Sequence, residues 1–320
     1  MNLKKFFLPK INKFENTLKL YAVFFPDANN LRLAPTTRLF ELNNLEFLSN
    51  GLNARVYKVI NADWVVKEGR WDLDLSLFGE AKLPIHAELT AKVLGLFSFT
   101  FQPTIKEILR QYKSYLNFVQ YFGYFTKKVE YYHPNVDLIL NAQKNIRDSL
   151  VFYLDEIESY YKLKFSPKLK EILSSDLKYQ NFLPKEYLLV GKSITPINNG
   201  KITYFIVQEY VKGTLLHDVD EKNLDNVIKQ KLILLAYLML LMNYQVHLVP
   251  DTRPRYIFLP GTNWITKTDN IIITKDSVKF VDTRWLWDRN SNIIKRGLFI
   301  PDMVINNTKD FILNLLKDVE

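Results

Sequence analysis

The clearest pattern along the chain is a pair of short β-branched runs, Ile271 to Ile273 and Val278 to Val281, flanking the polar turn Lys275-Asp276-Ser277. Apolar runs of this length around a turn predict a β-hairpin. Over Phe47 to Lys67 the rhythm predicts strand, Gly/Asn turn, strand, turn, strand. Tyr187 to Val190 and Ile202 to Val207 predict two more strands around Asn198-Asn199-Gly200. Helical spacing takes over from Leu83 to Leu96, where Ile85, Leu89, Val93 and Leu96 share a face. Residues 104 to 183, rich in Tyr, Lys and Leu, predict a run of helices. Asn226 to Tyr244 is apolar nearly all round, which predicts a buried helix, and Lys309 to Lys317 predicts a terminal one. Val246 to Asp269, with Pro250, Pro254 and Pro260, predicts irregular structure.

Composition narrows the function classes. At 320 residues and 48% hydrophobic content, the chain has ample material for a packed core. It contains no cysteine, which excludes disulfides, thiolate metal sites and cysteine nucleophiles. With 43 Lys and Arg against 34 Asp and Glu, the net charge is +9, a field that attracts phosphate-bearing partners. The lysines are dispersed among Asn, Ile, Tyr and Phe, with no arginine block or nucleic-acid module, so nucleic acid is not the expected partner. The longest apolar run, Leu232 to Met242, falls short of the roughly 20 residues a membrane span needs. The N-terminus carries Lys4, Lys5 and Phe6 but no signal-peptide core, and a cytoplasmic location is expected.

Several residues carry candidate chemistry. Asn270 enters the hairpin and Asp282 leaves it, so two hard oxygen donors arrive at one end. Such a pair beside a phosphate is what a Mg²⁺–nucleotide site needs. In the turn of the 47–67 segment, Ser49, Gly51 and Ala54 set small residues where backbone N–H groups can approach a triphosphate. Eleven residues after Val56, Lys67 ends the apolar strand Val65-Val66. An inward lysine there is costly unless an anion meets it. Phosphate oxygens and a helix carboxylate would satisfy it: Glu88 is best placed, Glu80 next. Gly191-Lys192-Ser193 lacks the glycine of a P-loop, since Glu186 stands five before Gly191. His86, His133, His217 and His247 have no metal-ligand spacing.

In order, a glycine-containing loop at Gly51, Val66-Lys67, a helix glutamate, Gln208-Glu209-Tyr210-Val211-Lys212-Gly213, Asn270-Ile271-Ile272 and Val281-Asp282 resemble the protein-kinase-like superfamily. The short tail after Asp282 is more similar to aminoglycoside- and lipopolysaccharide-type kinases than to the protein-phosphorylating branch. The resemblance implies an α+β, two-lobed kinase-like fold. A small antiparallel-sheet N-lobe at 39–212 would carry a helical insertion at about 104–183. A short, mainly helical C-lobe would follow at 213–320, and residues 1–38 would form an extension. The backbone carbonyl of Glu209 and amide of Val211 would hold adenine, with Gln208 as gatekeeper. The resemblance places the catalytic carboxylate at Asp251 and a phosphate-contacting base at Arg253, with 255–269 as a loop insertion; Asp269 is the rival base. Asp282-Thr283-Arg284 stands where the family has Asp-Phe-Gly, and no Ala-Pro-Glu follows. The implied cofactors are ATP and Mg²⁺. The implied reaction is phosphoryl transfer to a hydroxyl of a small molecule or, second, of a protein. The alternative is a kinase-fold nucleotide-binding or scaffold protein without transfer.

Overall fold

The computed structural model describes residues 17–27, 30–50, 54–69, 105–125, 136–194, 202–252, 270–283, 285–287 and 300–319. The expected α+β class is what the chain adopts. In order, the elements are β1 (Thr17–Asp27), β2 (Asn30–Glu41), β3 (Leu45–Asn50), β4 (Ala54–Val59), β5 (Trp64–Gly69), α1 (Ile105–Phe122), α2 (Val136–Asp148), α3 (Leu154–Tyr161), α4 (Pro167–Ser174), β6 (Glu186–Lys192), β7 (Ile202–Glu209), β8 (Thr214–Leu215), α5 (Asn226–Val246), β9 (Val249–Pro250), β10 (Ile271–Ile273), β11 (Val278–Phe280), β12 (Trp285–Trp287) and α6 (Ile300–Val319). Contacts divide them into two compact units. The first is Met1–Tyr112, Tyr131–Pro134 and Lys185–Tyr210; the second is Lys113–Glu130, Asn135–Pro184 and Val211–Glu320. Most of the 105–183 helical stretch therefore clusters with the C-terminal residues.

The first unit is built on one seven-stranded antiparallel sheet, ordered β2-β1-β6-β7-β5-β4-β3. Residues 17–41, which no sequence pattern singled out, supply two of its strands. In the centre, Lys67 lies opposite Val56 on one side and Ile206 on the other. Paired residues in antiparallel strands project to the same face, and neighbours along a strand to opposite faces. Tyr57, Val66, Leu189, Phe205 and Val207 thus share one face and form the buried core of the sheet. Val66, Leu189, Phe205 and Val207 are fully buried, each removal from water contributing about 1.5–3 kcal/mol. Lys67 belongs to the other face, with Ala54, Val56, Val65 and Ile206.

The second unit is organised around α5. Asp225 caps the helix by accepting from the Ile228 N–H at 2.7 Å. Its apolar residues run all round, as a fully packed helix requires. By length and composition α5 could cross a membrane, but 83% of the relevant window is buried inside the protein. Two further helix starts are favourable: Asp155 and Glu156 meet the positive N-terminus of α3, and Pro167 opens α4. α6 packs on α5. Two small sheets complete the unit, β11-β10-β8 and β12-β9.

Candidate functional site

The hairpin predicted from the β-branched runs forms as β10 and β11, with Ile271 opposite Phe280 and Ile273 opposite Val278. That register puts Asn270 across from Val281, and the Val281 N–H donates to the Asn270 carbonyl at 2.8 Å. Asp282 is the next residue and is buried. The Asn270 side-chain amide donates to the backbone carbonyl of Asp251 at 2.6 Å. This bond engages the amide nitrogen, and an amide oxygen is a hard donor type that a cation can use.

A second pairing brings Asp251 and Asp282 to one place. β9 and β12 are antiparallel, with Pro250 opposite Trp285 and Val249 opposite Trp287. Asp251 is the first residue after Pro250, and Asp282 lies three before Trp285. The two carboxylate-bearing residues therefore leave the same end of the ribbon. Asn270, Asp251 and Asp282, far apart in the chain, are gathered within the second unit by two strand pairs and one side-chain hydrogen bond. Asn270 and Asp282 together supply hard oxygen donors of the kind Mg²⁺ takes, with room in its coordination for phosphate oxygens and water. Among the described residues, no cluster of three or more His, Asp or Glu forms a metal site from protein side chains alone.

Helix α1 and residues 180–182 buttress this hairpin, a role that local sequence pattern does not reveal. Ser114 on α1 donates to the Thr283 carbonyl at 2.6 Å, directly after Asp282. Phe118 stacks on Phe280 and Phe122 meets it edge-on, both with ring centroids 5.5 Å apart. The backbone chain continues the support: Phe280 N–H to the Phe182 carbonyl at 2.7 Å, and Phe182 N–H to the Phe122 carbonyl at 2.9 Å. Lys279 donates to the Asn181 carbonyl at 2.8 Å, and Gln180 to the Ser277 hydroxyl at 3.0 Å. Lys231 of α5 reaches the carbonyl of Asp276 in the turn.

In the first unit, Ala54 and Lys67 share a sheet face, with the Arg55–Glu68 pair between their register positions on β4 and β5. On the same face Gln208 donates to Glu186, both buried. The opposite face carries a buried polar network that the sequence did not suggest. Glu68 is fully buried and accepts from the Ser193 hydroxyl at 2.5 Å, the Ile194 N–H at 3.1 Å and the Tyr57 hydroxyl at 3.5 Å. Burial raises its carboxyl above the ordinary range, against the pull of the Ser193 bond and the nearby Arg55 charge. Glu209 is exposed; its N–H donates to the Lys185 carbonyl at 2.8 Å, and its carboxylate accepts from the Lys185 N–H at 3.3 Å. Val211 is half-buried and is the first residue of the second unit's last segment. Gly51, Glu80, Glu88, Arg253, Asp269 and the 255–269 loop lie outside the described residues.

Comparison of the chain with family models, with curated proteins and with solved structures found no match.

Proposed function

We propose that the protein is a kinase-like phosphotransferase that moves the γ-phosphoryl group of ATP to a hydroxyl of a small molecule, with a protein hydroxyl as the second choice of acceptor. The observation that carries this reading is the gathering of Asp251, Asn270 and Asp282 by two independent strand pairs. Lys67 also lies on an inner strand of the sheet, β5, flanked by β4 and β7. The division of the chain between Tyr210 and Val211 falls inside the Gln208–Gly213 stretch read as the linker.

In this mechanism Lys67 binds nucleotide phosphate, and Ala54 leaves space for it on the same sheet face. Glu209 and Val211 hold the adenine through their backbone, with Gly51, Glu88 and Arg253 taken from the sequence resemblance. Mg²⁺ held by Asn270 and Asp282 would neutralise charge on the transferring phosphoryl group. Asp251 accepts the proton of the acceptor hydroxyl as its oxygen bonds to phosphorus; the bond to the β-phosphate oxygen breaks and ADP leaves. ATP supply makes the cytoplasm the working compartment.

The test is release of ADP from Mg·ATP across a panel of hydroxyl acceptors, comparing the parent with Asp251→Asn and Asp282→Asn. Loss of turnover by about 10²-fold or more in both variants is expected. Nucleotide binding without turnover in the parent would replace this reading with the non-transferring kinase-fold protein.

A further inference from the structure

The second unit holds a cavity of about 650 Å³ whose wall includes Tyr160, Tyr161, Lys162, His247, Ile305 and Lys309. A volume of that size suits a small molecule. Val249 also lines it, and none of the phosphotransfer residues does.

Two of its wall residues sit where glycine is the cheap choice. Lys162 caps α3 at φ 52° and His247 caps α5 at φ 57°, both left-handed. A non-glycine residue there costs roughly 1 kcal/mol. Each nevertheless places a basic side chain on the cavity.

The simplest use of a cation at a helix C-terminus is to cover its carbonyls. Those carbonyls already have donors. Lys162 N–H reaches Ser159 at 3.2 Å, Leu163 N–H reaches Glu158 at 3.0 Å, and His247 N–H reaches Asn243 at 2.9 Å. The Tyr161 hydroxyl lies 3.0 Å from the Leu240 carbonyl. Among the described residues, neither Lys162 nor Lys309 has an ion-pair partner. Lys309 instead lies 5.9 Å from the Tyr161 ring centre. Asp302, the acid of the wall, is two helical turns from Lys309, about 10 Å along α6, too far to neutralise it directly.

We infer that this cavity binds a small organic anion, its charge between Lys162 and Lys309 and its apolar body against Tyr160, Tyr161 and Ile305. Charge-assisted hydrogen bonds to two unneutralised lysines and a histidine would supply orientation, and the tyrosine faces the contact area. The site is separate from the phosphotransfer reading and stands without it.

Calorimetric titration with phenyl phosphate tests it, with inorganic phosphate as the body-less comparison. The parent should bind one phenyl phosphate saturably. The double variant Lys162→Gln/Lys309→Gln should bind at least about tenfold more weakly while melting at the parent temperature. Lys309→Gln alone supplies the same reading if the double variant is unfolded. Lys67→Ala should bind as the parent does, which separates this cavity from a nucleotide-phosphate site. Unchanged affinity in the lysine variants, loss in Lys67→Ala, or no saturable binding would overturn the site. Inorganic phosphate binding as tightly as phenyl phosphate would overturn the organic character of the ligand.

Discussion

Ser114 and Thr283, separated by 169 positions in sequence, are joined by a buried 2.6 Å hydrogen bond from hydroxyl to backbone carbonyl. Thr283 follows Asp282, so this bond fixes the backbone that aims the proposed metal ligand. Ser114→Ala leaves a buried carbonyl without that donor, at a cost of about 1–3 kcal/mol. The expected outcome is a lower denaturant midpoint together with a higher Mg²⁺ requirement for turnover, both restored in part by Ser114→Thr. A stability loss with an unchanged Mg²⁺ dependence would mean that α1 supports the fold and not the metal ligand.

The contact also shows what a sequence can and cannot disclose. The hairpin was legible because β-branched runs bounded by a turn encode strands locally, and its ends therefore placed Asn270 and Asp282 together. Strands 54–59, 64–69 and 202–209 were legible for the same reason. The start of α6 was not: Asn306, Asn307 and Thr308 are weak helix formers, so the pattern pointed only to Lys309 onward, whereas packing on α5 sustains the helix from Ile300. The β1–β2 ribbon needed pairing with β6 to be recognised. Ser114 carried no signal because its partner is a backbone carbonyl, which no residue type announces. Left-handed Lys162 and His247 were equally silent, since the usual marker of that conformation is glycine.

Gly213 illustrates a glycine kept for close approach. A Cβ at this position would lie 2.3 Å from the Ile273 carbonyl oxygen and 2.7 Å from Ile272 Cγ2. The neighbouring Thr214 pairs with Ile273, so relief of the clash must separate β8 from β10. Gly213→Ala is expected to destabilise the protein by about 1–3 kcal/mol, and faster amide exchange should concentrate at Ile271 to Ile273. Exchange that stays at parent rates in this hairpin would show that the linker yields instead.

Glu68 gives the protein a pH dependence with a definite sign. Its carboxyl is raised from 4.5, first by burial, with the Ser193 hydroxyl bond as the largest opposing influence. A carboxyl whose folded-state value exceeds its unfolded value holds its proton more tightly when folded, so its stabilising contribution is fully present below the unfolded value. That contribution is lost as pH rises from about 4.5 through the raised folded value, because the ionised group must then stay buried, and the nearby Arg55 charge offsets burial only in part. Glu68→Gln keeps a neutral group of the same shape and cannot ionise. Urea unfolding of parent and variant from about pH 4 to about pH 8 should show the stability difference shifting in favour of Glu68→Gln as pH rises. Parallel pH profiles would show that Glu68 titrates alike in both states. A shift toward the parent would show that Arg55, Ser193 and Ile194 stabilise the ionised carboxylate more than burial opposes it.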